Sequence, residues 1–178
     1  MTPLAVTKLT ALAVAVLEGD VEAMVWLMQL FDEKDLKWRA GGGTKLSRLA
    51  AGRGKIESLT CLRANGCEWD QGTCANAARR GHLEVLQWLR QNGCPWDGMT
   101  CMFAARGGHL EVLRWAHGNG CEWDEKTCSS AAEGGHLEML KWARQNGCPW
   151  NEMTCYNAAG EGHLEVLQWA RQNRCPWD

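Results

Sequence analysis

Apolar residues recur along the chain with the spacing of an α-helix. Within residues 97–107, at 100° per residue, small side chains fall on one side and larger ones on the other. After two glycines, residues 109–118 are apolar around nearly the whole helix circumference, with a narrow polar edge. This segment is therefore predicted to pack between neighbouring helices. The pattern predicts two helices, and the residue just before each first helix is a predicted N-cap, namely Asp70, Asp97, Asp124 and Asn151 in successive units. The first has Cys101, Ala104 and Ala105 on its small side, and Met99, Met102, Phe103 and Arg106 on the other.

This two-helix pattern repeats with a fixed period. The motif GHLEVL or GHLEML begins at Gly81, Gly108, Gly135 and Gly162, a spacing of 27 residues. Two less regular units precede these motifs. One such pair cannot bury its own apolar surface, whereas a stack of pairs can. The chain is therefore predicted to be all-α, a solenoid of about six stacked antiparallel helix pairs.

The register also predicts the domain organisation, a single solenoid over residues 1–178. Residues 1–31 form an N-terminal capping unit, and eight extra residues before the second unit indicate an inserted loop at 32–45. Residues 46–174 hold five further units, and residues 175–178 begin a seventh that is incomplete. Because the last helix keeps the apolar face of the interior units, we expect a longer array or self-association through the uncapped C-terminal unit.

The repeated residues resemble the ankyrin repeat. AARGGHLEVLRWAHGNGCEWD, residues 104–124, is similar to the family segment A-A-x-x-G-H-x-E-V-V-x-L-L-L-x-x-G-A-D-V-N. Cys94, Cys121 and Cys148 stand where the family has a small alanine. Ankyrin repeats are about 33 residues long, and the residues missing here lie where the family has its β-hairpin finger. The resemblance thus implies a short, Cys/Trp-rich subclass that has lost the finger.

Comparison of the units with one another separates constant from variable positions. Most variable positions share the face of the first helix opposite cysteine and alanine, and they run from basic through apolar to acidic. Methionine, phenylalanine and tyrosine beside arginine are typical of a protein-binding surface. We predict a non-catalytic scaffold or adaptor that binds a partner protein on this face. The predicted partner-binding residues are Arg79, Arg80, Met99, Met102, Phe103, Arg106, Lys126, Ser129, Ser130, Glu133, Met153, Tyr156, Asn157 and Glu161.

The ten cysteines leave an alternative function open, a metal-binding or thiol-redox scaffold. The repeated spacing Cys67-x6-Cys74-x7-His82 matches no zinc signature, and the second unit has Ser47 and Lys55 at two of these positions. Cysteine is also a small apolar core residue. The sequence therefore favours packing, and no metal ligand is assigned.

Histidine and tryptophan recur with the same period. The histidine position, occupied by His82 and its equivalents, holds Asp20 and Lys55 in the first two units, which indicates local hydrogen bonds at a helix start. His117 stands outside this series and is interpreted as a surface residue near a helix C-terminus. The periodic tryptophans are predicted to fill the space beside the missing finger, with a stacking platform for bases or sugars as the alternative.

The net charge and the lengths of the apolar segments exclude several further classes of protein. A net charge of −2 provides no basic surface for nucleic acid, and no apolar run reaches transmembrane length. The run LTALAVAVL at residues 9–17 lacks the basic start and cleavage site of a signal peptide. No nucleophile triad, phosphate loop or paired carboxylate stands out. We expect a cytoplasmic protein without catalytic residues or cofactors, and with neither nucleic acid nor membrane as partner.

Overall fold

A computed structural model describes residues 3–31 and 37–177, with side chains described for residues 6–31 and 42–177. These residues form twelve α-helices and no β-strand, which confirms the all-α prediction. The helices are α1 (Pro3–Glu18), α2 (Val21–Gln29), α3 (Lys37–Ala51), α4 (Ile56–Ala64), α5 (Gln71–Arg79), α6 (Leu83–Gln91), α7 (Gly98–Gly107), α8 (Leu110–Gly118), α9 (Glu125–Glu133), α10 (Leu137–Gln145), α11 (Glu152–Gly160) and α12 (Leu164–Gln172).

The helices belong to two compact units, the first made of Met1–Ala77 and Glu84–Pro95, the second of Ala78–Leu83 and Trp96–Asp178. In the first unit α1 packs on α2 and α3, while α4 packs on α2 and α3. In the second unit α7, α9 and α11 lie side by side, each against the second helix of its own pair. Each unit is therefore a stack of helix pairs, as predicted. One continuous solenoid over the whole chain stays a prediction.

Each first helix of the second unit begins at a side-chain cap. Asp97, Asp124 and Asn151 each accept a hydrogen bond from the backbone N–H two residues further on, at 3.0–3.1 Å. The carboxylate or amide oxygen thus satisfies one of the N–H groups that the first helical turn leaves without a partner. The predicted N-caps are confirmed, and they explain why these helices begin directly after the Trp-Asp or Trp-Asn motif.

Small residues line the packed side of the first helices. Cys101, Ala104 and Ala105 are fully buried in α7, and so are the equivalent cysteine and alanines of α9. Short side chains at these positions allow neighbouring helices to approach closely.

Between α8 and α9 only residues 119–124 connect the pairs, with no strand among them. The hairpin finger expected to be missing is absent from this connection.

The inserted loop predicted at residues 32–45 is largely wrong. Helix α3 begins at Lys37, so residues 37–45 are helical, while residues 32–36 lie outside the described part of the chain. Eight extra residues suggested a loop, but residues 37–45 are helical although they include three consecutive glycines, and packing explains one of these glycines. A Cβ atom added to Gly43 would lie 3.1 Å from the Cβ of Cys67, because the helix passes close to this cysteine. Close approach overrides the low helix propensity of glycine at this position.

No helix in the described part of the chain combines the length and apolarity needed to cross a bilayer.

Candidate partner-binding surface

The predicted partner-binding residues lie within the second unit, which includes the end of α5. Because α7, α9 and α11 lie side by side, their variable positions form a row. We call this row, together with Arg79 and Arg80, the variable face. Tyr156 is 70% exposed, and Met99 and Met153 are each 42% exposed. Of the rest, Arg79, Arg80, Arg106, Lys126 and Glu161 are exposed, and Met102, Phe103, Glu133 and Asn157 are half-buried.

Three contacts join neighbouring helices along the variable face. The Arg79 guanidinium lies 5.7 Å from the centroid of the Phe103 ring. Arg106 pairs with Glu133, with an N–O distance of 2.6 Å, and the Asn157 amide donates a hydrogen bond of 3.2 Å to the Ser129 carbonyl. The ion pair neutralises two of the charges near the middle of the face, where Lys126 of α9 is also exposed. Arg79 and Arg80 are left at one end, and Glu161 at the other.

Two of the predicted surface residues are buried. Ser129 and Ser130 are only 8% and 7% exposed, so neither side chain contributes contact area. Their short side chains belong to α9, the central helix of the row, and have helices packed on both sides. The Ser129 hydroxyl donates to the Lys126 carbonyl of its own helix at 3.1 Å. The expectation that both serines face a partner is wrong for this reason.

The periodic histidines connect one helix pair to the preceding pair. Nε2 of His109 lies 3.1 Å from the Arg79 carbonyl oxygen, His136 repeats the contact with Arg106 at 3.1 Å, and His163 repeats it with Glu133 at 3.0 Å. A carbonyl oxygen only accepts, so Nε2–H is the donor. Each bond satisfies a carbonyl in the last turn of a first helix, where no intrahelical N–H is available. The local capping bonds predicted for these histidines are wrong, because the bonds reach 30 residues back.

The exceptions at the histidine position follow the same chemistry. Lys55, in the second helix pair, donates from Nζ to the Glu18 carbonyl at 3.1 Å, as the histidines do in later pairs. Asp20, in the first pair, has no proton to donate and instead accepts from the Ala23 N–H of its own helix at 2.9 Å. At His109, His136, His163 and Lys55 the position thus supplies a donor to the preceding pair.

One series of buried cysteines makes a parallel connection. The Sγ atoms of Cys121, Cys148 and Cys175 lie 3.2–3.4 Å from the carbonyl oxygen of the N-cap residue in the preceding repeat. A thiol is a weak donor, so each contact adds little, but it recurs at the same place in every interface of the second unit. These cysteines therefore serve packing between repeats.

The chemical state of the cysteines disfavours the metal or redox alternative. All ten are free and buried. Burial raises the pKa of the Cys175 thiol to about 12, and contact with a neighbouring thiol together with burial raises the pKa values of Cys101 and Cys128. The thiolate, which is the metal-binding and nucleophilic form, is thereby disfavoured. Among the described residues no three His, Cys, Asp or Glu side chains are grouped as metal ligands.

The tryptophans form perpendicular pairs within each repeat. In the second unit the ring centroids of Trp96 and Trp115, Trp123 and Trp142, and Trp150 and Trp169 lie 5.7–5.8 Å apart, with interplanar angles of 63–68°. This is the edge-to-face geometry that aromatic rings prefer. The six rings are half-buried, so they pack together and still present an edge to solvent.

A periodic arginine is a feature that the sequence analysis missed. Near the end of the second helix, Arg63, Arg144 and Arg171 each donate to the carbonyl of the cysteine four residues on, and they lie 4.2–4.6 Å from the centroid of the following tryptophan ring. His117 occupies this position in its own repeat and stacks on Trp123, with centroids 3.6 Å apart. It is therefore part of the series, not an isolated surface residue. The 27-residue spacing of the arginines was the signal that would have revealed it.

We expect acid to weaken the folded state through His109. Burial, followed by the charges of neighbouring histidines, lowers the pKa of His109 despite its hydrogen bond to a carbonyl. Its neutral form is thus preferred in the folded protein, so its contribution is intact above about pH 6.5, the unfolded value, and is lost as the pH falls through the lower folded value. Urea unfolding at pH 8 and pH 5 should show a smaller acid-induced loss of stability for His109→Gln than for the wild type. Equal losses would contradict this.

We expect His117→Arg to stabilise the protein. An arginine can donate to the Cys121 carbonyl and lie over Trp123, as its counterparts do in other repeats, which should add about 0.5–1 kcal/mol to the free energy of unfolding. The reciprocal change Arg144→His is the matched control and should reduce stability by a similar amount. Urea titrations followed by circular dichroism measure both. A destabilised His117→Arg variant would refute the proposed equivalence.

Comparison with known proteins agrees with this geometry. A family model described as ankyrin repeats (many copies) matches residues 74–117 and 128–171, each range spanning most of two helix pairs. No match is found among curated proteins. The matched ranges contain the Ala-Ala, Gly-His and second-helix motifs whose contacts are described above, in pairs that stack as the family fold requires. The chain therefore belongs to the ankyrin repeat family, in a short form whose 27-residue repeat lacks the hairpin finger.

Proposed function

We propose that this protein is a non-catalytic adaptor that binds a partner protein on the variable face. Ankyrin repeats generally mediate protein–protein interaction. The observation that carries the proposal is a row of large apolar side chains at the surface, Tyr156 at 70% exposure with Met99 and Met153 at 42%. Aromatic and methionine side chains are enriched in protein interfaces, and charged residues flank them here.

The charges of the variable face suggest the chemistry of its partner. Arg79 and Arg80 are exposed at one end and Glu161 at the other, and between them lie the Arg106–Glu133 pair and the exposed Lys126. A complementary segment would carry acidic residues towards the arginines and Lys126, apolar residues over the methionines and Tyr156, and a basic residue towards Glu161. Such complementarity guides orientation and the rate of encounter more than it adds affinity.

The family membership and the state of the cysteines support two further parts of the proposal, the absence of catalysis and the cellular compartment. Ankyrin repeat proteins are generally scaffolds, and the largest pKa shifts among the described residues belong to buried thiols, whose reactive thiolate form is thereby disfavoured. Ten free cysteines suit a reducing environment. We therefore assign the protein to the cytoplasm as part of this proposal.

Single substitutions on the variable face should weaken partner capture. Tyr156→Ser and Met99→Ser remove exposed apolar area without disturbing the core, and each should weaken binding about tenfold if it is a hot spot. Val14→Ser is the matched control, because Val14 is also apolar and 52% exposed but lies on α1. The measurement is quantitative mass spectrometry of proteins retained from extracts of the source cells. A partner that all three variants retain equally would refute the assignment of this face.

We further propose that the α11–α12 pair mediates weak self-association. Its outward side corresponds to the surface that the next pair covers in the interior repeats. Leu164 is 62% exposed there, and Ala159 is exposed whereas Ala105 and Ala132 are fully buried. Val166, in the same helix as Leu164, is buried and does not contribute. The acidic Asp20 cannot donate to the Gly160 carbonyl as a histidine would, so pairing of two C-terminal faces is favoured over head-to-tail stacking.

Leu164→Glu should prevent this self-association. A charge in the centre of the paired faces would have to be desolvated, whereas the same charge at Val14→Glu stays in water and serves as the control. Light scattering over a concentration series should show the mass rising for the wild type and for the control, and constant for Leu164→Glu. A wild-type protein that remains monomeric at high concentration would refute the proposal.

A further inference from the structure

The second helices of the second unit carry a surface pocket that the proposed function does not use. It has a volume of about 330 Å³, opens to solvent, and lies between the C-terminal halves of α10 and α12. Two indoles form its apolar part and two cations and two amides its polar part, with no carboxylate among them. The lining residues are Lys141, Arg144, Gln145, Trp150, Trp169 and Asn173.

The equivalent place between α8 and α10 is covered by the protein's own side chains. The His117 ring stacks on Trp123 and meets Trp142 edge-on, with centroids 3.6 Å and 6.4 Å apart. The Arg114 guanidinium lies 5.6 Å from the centroid of Trp142. In this repeat the His117 ring and the Arg114 guanidinium thus cover both indoles. The site therefore accepts an aromatic ring and a charged group beside its tryptophans.

The pocket between α10 and α12 lacks the equivalent of the Arg114 guanidinium over its second indole. Arg144 lies 4.3 Å from the centroid of Trp150, as expected for its position. Lys141, which corresponds to Arg114, pairs with Glu138 on its own helix at 2.7 Å, just as Arg114 pairs with Glu111 at 3.4 Å, but Arg114 in addition lies near the ring of Trp142. Among the side chains that the structure describes, no arginine or lysine lies over the Trp169 ring. The space beside Trp169 is therefore open, with Lys141 and Arg144 at its edge.

This arrangement fits an aromatic group that carries a neighbouring anion. An indole attracts another ring in stacked or edge-to-face geometry. Lysine and arginine donate charge-assisted hydrogen bonds to a carboxylate, and the Lys141–Glu138 pair is exposed enough to exchange partners at little cost. Asn173 already donates to the Trp169 carbonyl at 2.8 Å, which leaves its amide oxygen to accept from a peptide N–H.

We propose that this pocket binds an acidic segment of a partner protein, with an aromatic side chain beside Trp169 and an adjacent carboxylate paired with Lys141 and Arg144. The volume is at the lower end for a small-molecule site, and the pocket is open, so it would leave much of a free metabolite exposed. A peptide needs to place only one aromatic ring and one neighbouring carboxylate in the pocket. The site lies on second helices and does not depend on the variable face.

The test uses the peptide acetyl-Glu-Phe-Glu-amide and the full chain labelled with ¹⁵N. The indole N–H signals of Trp150 and Trp169 should shift on titration, with dissociation in the millimolar range expected for so small a contact. The neutral peptide acetyl-Gln-Phe-Gln-amide should bind at least about fivefold more weakly, and added salt should weaken only the acidic peptide.

Variants of the protein separate this pocket from non-specific attraction. Lys141→Gln introduces the residue that Gln87 and Gln168 already place at the equivalent position, so the fold should tolerate it, and binding should weaken about threefold or more. Arg53→Gln removes an equal charge from an exposed turn of the first unit, outside both proposed sites, and should leave the affinity unchanged. The proposal is overturned if no Trp150 or Trp169 signal shifts, if both peptides bind equally, or if Lys141→Gln and Arg53→Gln have the same effect.

Discussion

A hydrogen bond from one helix pair to a carbonyl at the end of the preceding first helix is the interaction on which the rest of the repeat depends. Three histidines make it in the second unit, at 3.0–3.1 Å, and Lys55 makes it in the first. A carbonyl in the last turn of a helix has no intrahelical partner and would be costly to cover with an apolar neighbour. The bond solves this problem, and it also sets the position of one pair on the next.

That bond dictates which residues surround it. Where His136 crosses the end of the preceding pair, its ring lies so close to Gly108 that an added Cβ would be 2.6 Å from Cε1. Gly108 also has a φ of 76°, a conformation that other residues rarely adopt. The recurrent Gly-His motif thus has two physical causes, a left-handed turn and a neighbouring ring. Buried cysteine and alanine let the first helices approach to the distance that this contact requires.

Positions outside this framework are free to differ between repeats, and the variable face and the pocket beside Trp169 both depend on such differences. The variable face uses first-helix positions that project away from cysteine and alanine. The pocket beside Trp169 exists because Lys141 and Arg144 replace Arg114 and His117 of the previous repeat, which leaves one indole uncovered. An identical backbone arrangement therefore carries a filled site in one repeat and an open site in the next.

The sequence by itself determined the helix pairs, their period, the N-caps and the family, because these depend on local spacing that repeats in register. Only the tertiary structure decided what a residue touches in the neighbouring repeat. The histidines were expected to bond locally, since a sequence does not show that a carbonyl 30 residues back lies within reach. Ser129 and Ser130 occupy the same helical angles as exposed residues, yet packing on both sides of α9 buries them. Gly43 belongs to a helix because of Cys67, a neighbour brought close only by folding.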